Sequence, residues 1–317
     1  MNVLIAASTV IAVMAGLLLR EVVTVLRAGA PAEESQTLVG EAAQSCAATI
    51  PKVIWAYWDT SPPPPFVQAC LSTWHRYAPD HEVRLLDRTT VTRWLDSLRT
   101  DFDTLPAYRQ ADWLRIHLLA RHGGIWMDAS TLLTRDLDWL HLARSQSQAE
   151  YVGFFINRYS TRLELPLIEN WFMASVAGGH FATELAAAFD LALDEGAEQV
   201  LQRLQYEGRR SRVVQALTED LQRYLLMHVV AADLLDRRQN TGRLVLLRAE
   251  DGPFAWLSKV GWRKRHLYAR LALTPCPRSL PALIKLRGGD RTVAERNWLR
   301  GRMLKSSALA RLIGPAP

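Results

Sequence analysis

The stretch Tyr108–Thr131, YRQADWLRIHLLARHGGIWMDAST, decides how this chain of 317 residues is read. Two periods meet in it. From Tyr108 to His122, Ala111, Leu114 and Leu118 fall on one helical stripe, while Arg109, Asp112 and Arg115 recur every third residue on a neighbouring polar stripe. Arg121 and His122 put positive charge at the negative end of that helix, and Gly123 and Gly124 stop it. Ile125, Trp126 and Met127 form the short apolar run of a buried parallel strand, so Asp128 stands where the strand emerges. Ligands of open α/β sheets bind at that end. On pattern alone the alternative is an ordinary helix–strand unit with Asp112 and Arg115 as a surface pair, worth roughly 0.3 kcal/mol.

The flanks extend the alternation. Lys52–Trp58 (KVIWAYW) is β-branched and aromatic and reads as the first strand, broken by Asp59 and the proline turn after it. Phe66–Tyr77 is a helix entered through proline, Glu82–Leu86 a second strand, and Thr90–Leu98 a second helix with Asp87 and Thr89 as caps. Strand and helix thus alternate up to Asp128, the signature of a βαβ nucleotide-binding half. Beyond it, Tyr151–Ile156 is another strand, and Leu167–Ser175 is an apolar run with Glu169 and Asn170 embedded in it. Polar groups in such a run are hydrogen-bonded core residues or parts of a site. Ala182–Leu193 and Val200–Leu235 have helical period, the second interrupted near Gly208–Arg212, and Leu244–Leu247 is a short strand.

A content of 49% hydrophobic and 22% charged residues describes a globular chain. Cys46, Cys70 and Cys276 are odd in number and widely spaced, which supports neither a disulfide framework nor a zinc site and fits a reducing compartment. The formal charge of +6 is uneven: residues 257–317 hold 14 Lys or Arg against 2 acids, and residues 1–256 hold 24 against 30. Trp256, Trp262, Tyr268 and Trp298 lie among those C-terminal cations, and amphipathic rings beside Lys and Arg suit an anionic lipid interface. A plain solvated face is the second reading of that region, and nucleic acid a distant third.

Val3–Leu19 is the one membrane-length apolar run, so residues 1–27 read as a transmembrane anchor helix. Arg20 and Arg27 follow it, which by the positive-inside rule puts the globular part in the cytoplasm. Residues 28–50 are small and polar and read as a linker, with folded structure from Pro51.

No G-x-S-x-G, Walker loop or G-x-G-x-x-G is present, and the spacing of His117 and His122 is not that of a zinc helix. Asp128, with Ser130 two residues along, suits Mg2+ or Mn2+ shared with a substrate diphosphate. Gly123 and Gly124 would let the backbone approach a bulky ligand.

These residues resemble a known family. YRQADWLRIHLLARHGGIWMDAS, with IPKVIWAYWD upstream and IENWFMAS downstream, is similar to the core of the capsular polysaccharide synthesis proteins and the related α-mannosyltransferase-like glycosyltransferases, and more distantly to the glucosylating domain of large clostridial toxins. The likeness covers Ile50–Ser175, with a weaker echo at LIKLRGGDR. It implies a GT-A type, Rossmann-like nucleotide-sugar-binding catalytic core over residues 51–256, with helical additions and a basic acceptor-facing region over 257–317. Asp112 would bind the sugar or ribose hydroxyls of the donor, Arg115 would neutralise its phosphate or orient the sugar, Trp55 would line the base pocket, and Trp126 would sit beside the metal acid. Tyr108 and Ser130 complete the donor set. Asp128 would be the first carboxylate of a D-x-D, whose second position here is Ser130, so that Mn2+ or Mg2+ would be held by one carboxylate and a hydroxyl. Glu169, Asn170, Lys285 and Arg291 are the candidates for the acceptor or for phosphate. The implied activity is retaining transfer of a sugar from a nucleotide sugar to a growing surface glycan, and the anchor and the basic, Trp-containing C-terminus suit a lipid-linked acceptor. The alternatives are a catalytically silent scaffold subunit of a polysaccharide assembly complex and a lumenal glycan-processing transferase.

Overall fold

The computed structural model describes residues 2–29, 35–40, 48–162, 164–237 and 242–317, with side chains from Ile11 onward. Seven strands form one sheet: β1 (Gln36–Val39), β2 (Val53–Tyr57), β3 (Glu82–Leu86), β4 (Gly124–Met127), β6 (Tyr151–Phe155), β7 (Ile168–Ser175) and β8 (Leu244–Arg248). Their spatial order is β1-β8-β6-β7-β4-β2-β3. β2 lies parallel to β3 and β4, and β6 parallel to β8, while β7 is antiparallel to both β4 and β6. Five strands therefore point one way, and the start of β7 arrives at the end where they finish. A separate two-stranded ribbon pairs β5 (Thr131–Leu133) with β9 (Leu283–Lys285), in a register that sets Thr131 opposite Lys285.

Helices α1 (Asn2–Arg27), α2 (Pro65–Tyr77), α3 (Ala107–His122) and α4 (Asp138–Ser147) belong to the first half of the chain. A second set follows β7: α5 (His180–Glu195), α6 (Ala197–Tyr206), α7 (Arg210–Val214), α8 (Glu219–Tyr224) and α9 (Leu226–Asp236). The C-terminal region adds α10 (Ala255–Lys259), α11 (Lys264–Ala272), α12 (Gly288–Trp298) and α13 (Ala308–Ile313). α3 packs on α5 and on β2, β4 and β7, and α9 packs on β7, so α3 is enclosed rather than superficial. Arg109, Asp112 and Arg115 are buried with Leu114, Ile116, Leu118 and Leu119, which removes the surface-pair reading of that polar stripe.

The two glycines after α3 owe their place to packing. Gly123 has φ 64° and Gly124 φ 96°, a region other residues rarely enter. A Cβ on Gly123 would lie 2.5 Å from the Ala177 amide nitrogen, and one on Gly124 2.8 Å from the Val53 carbonyl oxygen. Both sit at the start of β4, the opposite end from Asp128, so the close approach is of backbone to backbone and not of backbone to ligand.

Three sequence expectations change. Thr90–Leu98 is not an α-helix: only a 3-10 turn, Val91–Arg93, forms. Asp87 Oδ1 accepts from the amides of Thr89 and Thr90, a local turn that competes with helix, and the run of Thr and Val that follows is β-branched. The segment 28–50 is not all linker, because β1 completes the sheet edge against β8 and folded structure therefore precedes Pro51. The N-terminal segment is helical as expected, yet no helix among the described residues is long and apolar enough to cross a membrane. Its C-terminal end is part of the globular body: Val25 and Ala28 are buried, and Glu21 pairs with Arg263 and with His266 at 2.7 Å. Cys70 and Cys276 are free thiols, and Cys46 lies outside the described residues.

Candidate active site

The ends of β2, β4 and β6 and the start of β7 surround a cavity of about 570 Å³. That size lies within the range of small-molecule sites, and its place outside the carboxyl ends of the parallel strands is where α/β sheets bind ligands. Of the residues expected from the sequence, Tyr108, Asp112, Arg115, Trp126, Asp128, Ser130, Glu169, Asn170, Lys285 and Arg291 all line it.

Trp55 does not. It is 1% exposed, its indole donates to the Gly123 carbonyl at 2.9 Å, and Trp94, His122 and Arg84 pack around it. Period two puts Trp55 on the same face of β2 as Tyr57, but a pleat deeper; Tyr57 and the next two residues, Trp58 and Asp59, reach the cavity instead. The Tyr57 hydroxyl donates to Gln110 Oε1 at 2.6 Å, and burial pushes its pKa up to about 12, so it acts as a neutral donor.

Arg115 organises the floor. Its Nη2 lies 3.4 Å from Asp112 Oδ1 and 3.4 Å from Asp128 Oδ1, its Nη1 donates to the Asn170 carbonyl at 2.6 Å, and its Nε to the Ala111 carbonyl at 3.1 Å. One guanidinium thereby fixes two acids and the start of β7. Asp112 also pairs with Arg109 at 3.3 Å and accepts from Asn170 Nδ2 at 2.8 Å. Burial raises the Asp112 carboxyl pKa, and the attraction of Arg115 and Arg109 offsets this only in part. The embedded Glu169 and Asn170 thus belong to the site: Glu169 is buried and lies 3.8 Å from His228.

Asp128 has the opposite balance. Burial would raise its pKa too, but Lys285, Arg115 and the Trp126 indole hold it below the usual carboxylate range. Lys285 Nζ is 2.6 Å from Oδ2, while Oδ1 accepts from Trp126 Nε1 at 3.1 Å as well as from Arg115. Ser130 is not beside it on a strand face. β4 ends at Met127, residues 128–130 form a turn closed by the Thr131 amide on the Asp128 carbonyl, and Ser130 Oγ donates to the Leu286 carbonyl at 3.2 Å.

This donor set does not fit Mn2+ or Mg2+. Hard divalent cations take several oxygen ligands, carboxylates foremost. Here one carboxylate faces the cavity at the expected place, and both its oxygens are engaged by cationic or N–H donors. Among the described residues no group of three His, Cys, Asp or Glu side chains is placed to hold a metal ion. Each unit of like charge ~4 Å from the Lys285 ammonium would cost about 4 kcal/mol at an effective dielectric of ~20.

Several lining residues carried no sequence signal strong enough to single them out. His228 from α9, Tyr224 from α8, Trp171 from β7, and Trp262 and Arg287 from the C-terminal region close the cavity walls. His228 Nδ1 is buried without a hydrogen-bond partner. Its one sequence cue is a lone polar residue inside the apolar run LMHVVAA, the same cue that marked Glu169.

The fold and site define an α/β protein with a charged, aromatic-walled cavity at the carboxyl ends of its parallel strands. Residues 34–189, just under half of the chain, match the family described as "Capsular polysaccharide synthesis protein". O-glycosyltransferase braB of Annulohypoxylon truncatum is 32% identical over 152 residues, which cover 42% of this chain and 35% of that protein. The chain therefore spans about a third of the length of this curated relative. Among solved structures, the PaToxG glycosyltransferase aligns with 68% of this chain and 79% of its own, at 13% identity and a TM-score of 0.31.

Proposed function

We propose that the chain is a glycosyltransferase of GT-A type that moves a sugar from a nucleotide-sugar donor to a glycan acceptor. The observation that carries this reading is the convergence on one cavity of Asp112 and Arg115, which the family resemblance assigns to the donor, and Asp128, which it assigns to the metal, with Glu169, Asn170 and Lys285. Asp112, held by Arg109 and Arg115, presents a fixed carboxylate to sugar hydroxyls. The cations Lys285, Arg287 and Arg291 line the same cavity and suit a diphosphate.

Retention of anomeric configuration is the stereochemistry of this proposal. The acceptor oxygen bonds to the anomeric carbon on the face from which the nucleoside diphosphate leaves, and the leaving phosphate takes the acceptor proton. Glu169 is the candidate acid for a double displacement instead, and its pairing with His228 favours a positioning role.

A lipid-linked acceptor at the cytoplasmic face of a membrane completes the proposal. α1 carries exposed Ile11, Met14, Leu17, Leu18 and Leu19, and its Glu21 contacts Arg263 and His266 beside a groove lined by Trp262, Lys264 and Arg265. An apolar helix next to a basic, Trp-edged groove suits an anionic lipid surface.

The test is donor hydrolysis by the full chain against a panel of nucleotide sugars. At least one donor should be hydrolysed, and Asp112→Asn should lower that rate by two orders of magnitude or more. Hydrolysis unaffected by Asp112→Asn would remove the cavity from the reaction.

A further inference from the structure

The acid that the sequence points to as a metal ligand, Asp128, is paired in the cavity with an ammonium group, Lys285. Lys285 ends β9, and the register of the β5–β9 ribbon sets it opposite Thr131, three residues beyond Asp128. Its side chain is only 7% exposed, its Nζ meets Asp128 Oδ2 at 2.6 Å, and the Trp171 ring lies 5.5 Å away. A flexible side chain is thus fixed by a strand, a carboxylate and an aromatic face. The residues that follow it also turn toward the cavity: Leu286, Arg287 and Gly288 line it, and Gly288 opens α12. A Cβ on Gly288 would meet nothing within 4 Å, so the first residue of that helix borders open space. Arg291, one turn along, lies over the Trp58 ring at 4.9 Å on the same wall.

We propose that the segment Lys285–Gly288 binds the diphosphate of the nucleotide donor directly, with the Lys285 ammonium in the role that a divalent cation plays in metal-dependent transferases. Three kinds of positive group converge there: an ammonium fixed by Asp128, the guanidinium groups of Arg287 and Arg291, and the N-terminus of an eleven-residue helix. Asp128 is then a positioning residue that holds Lys285, and Ser130, which donates to the Leu286 carbonyl, fixes the backbone of the same segment. The pairing explains why a hydroxyl suffices at the second position of the D-x-D-like sequence: with no metal to hold, no second carboxylate is needed. This inference rests on the transferase reading above.

The experiment titrates the full chain calorimetrically with UDP and with GDP, in EDTA and then in Mn2+, with the low-temperature paramagnetic signal of added Mn2+ as a second readout. The nucleotide that binds should do so in EDTA with an affinity within about threefold of that in Mn2+, and Mn2+ alone should show no stoichiometric site. Lys285→Gln should weaken binding at least tenfold in EDTA, with partial recovery in Lys285→Arg. Arg287→Gln removes a cation whose side chain is 41% exposed but pairs with the buried Asp290, and should weaken binding about threefold, with Arg287→Lys, which keeps the charge beside Asp290, weakening it less. Nucleotide binding that appears only with Mn2+, or a Mn2+ site abolished by Asp128→Asn, overturns the proposal while leaving the transferase reading intact. Failure to bind any nucleotide or nucleotide sugar in either condition overturns both.

Discussion

The two ends of the α3–β4 unit share one sequence block and have opposite physical characters. At the glycine end, Trp55, Trp94 and His122 pack edge-on or tilted at ring separations of 5.1–6.1 Å, the Trp55 indole and the His122 ring each reach a backbone carbonyl, and Gly123 meets the β7–α5 connection backbone to backbone. At the acid end, Asp112 and Asp128 share one guanidinium, His228 Nδ1 has no partner, and aromatic rings line a cavity instead of filling it. The first end is optimised for packing and the second for an incoming polar ligand. Residues that look equally suited to a site in sequence therefore separate by the end at which the fold places them.

The contrast breaks most visibly at Gly123. Gly123→Ala combines a forbidden backbone conformation with a 2.5 Å contact to main chain, and should cost about 3 kcal/mol or more of unfolding free energy. Chemical denaturation measures it, and nucleotide affinity of the folded fraction should be unchanged. A mild stability loss would mean that the two ends are not packed as differently as described.

Next in size is a pair of tryptophans three residues apart. Trp55→Phe removes a buried hydrogen bond and some packing, so about 1–2 kcal/mol of stability should go with no change in nucleotide affinity. Trp58→Ala should do the reverse, leaving stability within about 1 kcal/mol and lowering affinity roughly tenfold through the lost aromatic wall. If both variants lower affinity alike, Trp55 communicates with the cavity in a way its position does not indicate.

The smallest effect concerns pH. The Asp128 carboxyl is held below its ordinary value of 3.8. Its contribution to stability is therefore present above that value and lost as pH falls through the lower folded value. Asp112, raised by burial, has the opposite sign: its ionised form is disfavoured in the fold, and stability falls as pH rises through its folded value. The stability gap between wild type and Asp128→Asn should narrow as pH drops below about 4, whereas that between wild type and Asp112→Asn should shift in favour of wild type. Parallel acid limbs for the two variants would contradict the division of roles.

Much of this was legible in the sequence because it is local. The three-residue repeat of Arg109, Asp112 and Arg115, the helix stop at Gly123, and the acid after a short apolar strand all depend on neighbours a turn or a pleat apart. Glu169 and Asn170 declared themselves as polar residues in an apolar strand. What escaped depends on long-range register. Trp55 lies one pleat too deep on the correct face of β2, a distinction that requires knowing where the strand meets the cavity. Lys285 is a candidate in the sequence, but its pairing with Asp128 across 157 residues depends on a three-residue ribbon that no local pattern announces. β1, four residues in a small polar segment, gains its strand character from β8 alone. His228 and Tyr224 come from short helices whose angles follow from packing. The part of the chain that matches the capsular polysaccharide family ends at residue 189, so these three cavity residues all come from beyond it.

The β5–β9 ribbon also imposes an order in time. Synthesis runs from the N-terminus, and the last strand of the large sheet, β8, ends at Arg248, well before Lys285 exists. A nascent chain can thus complete its sheet while Asp128 has Arg115 but still lacks Lys285. The cavity gains Lys285, Arg287 and Arg291 only when the final stretch docks, so a chain broken off early carries the scaffold of the site without its cationic wall.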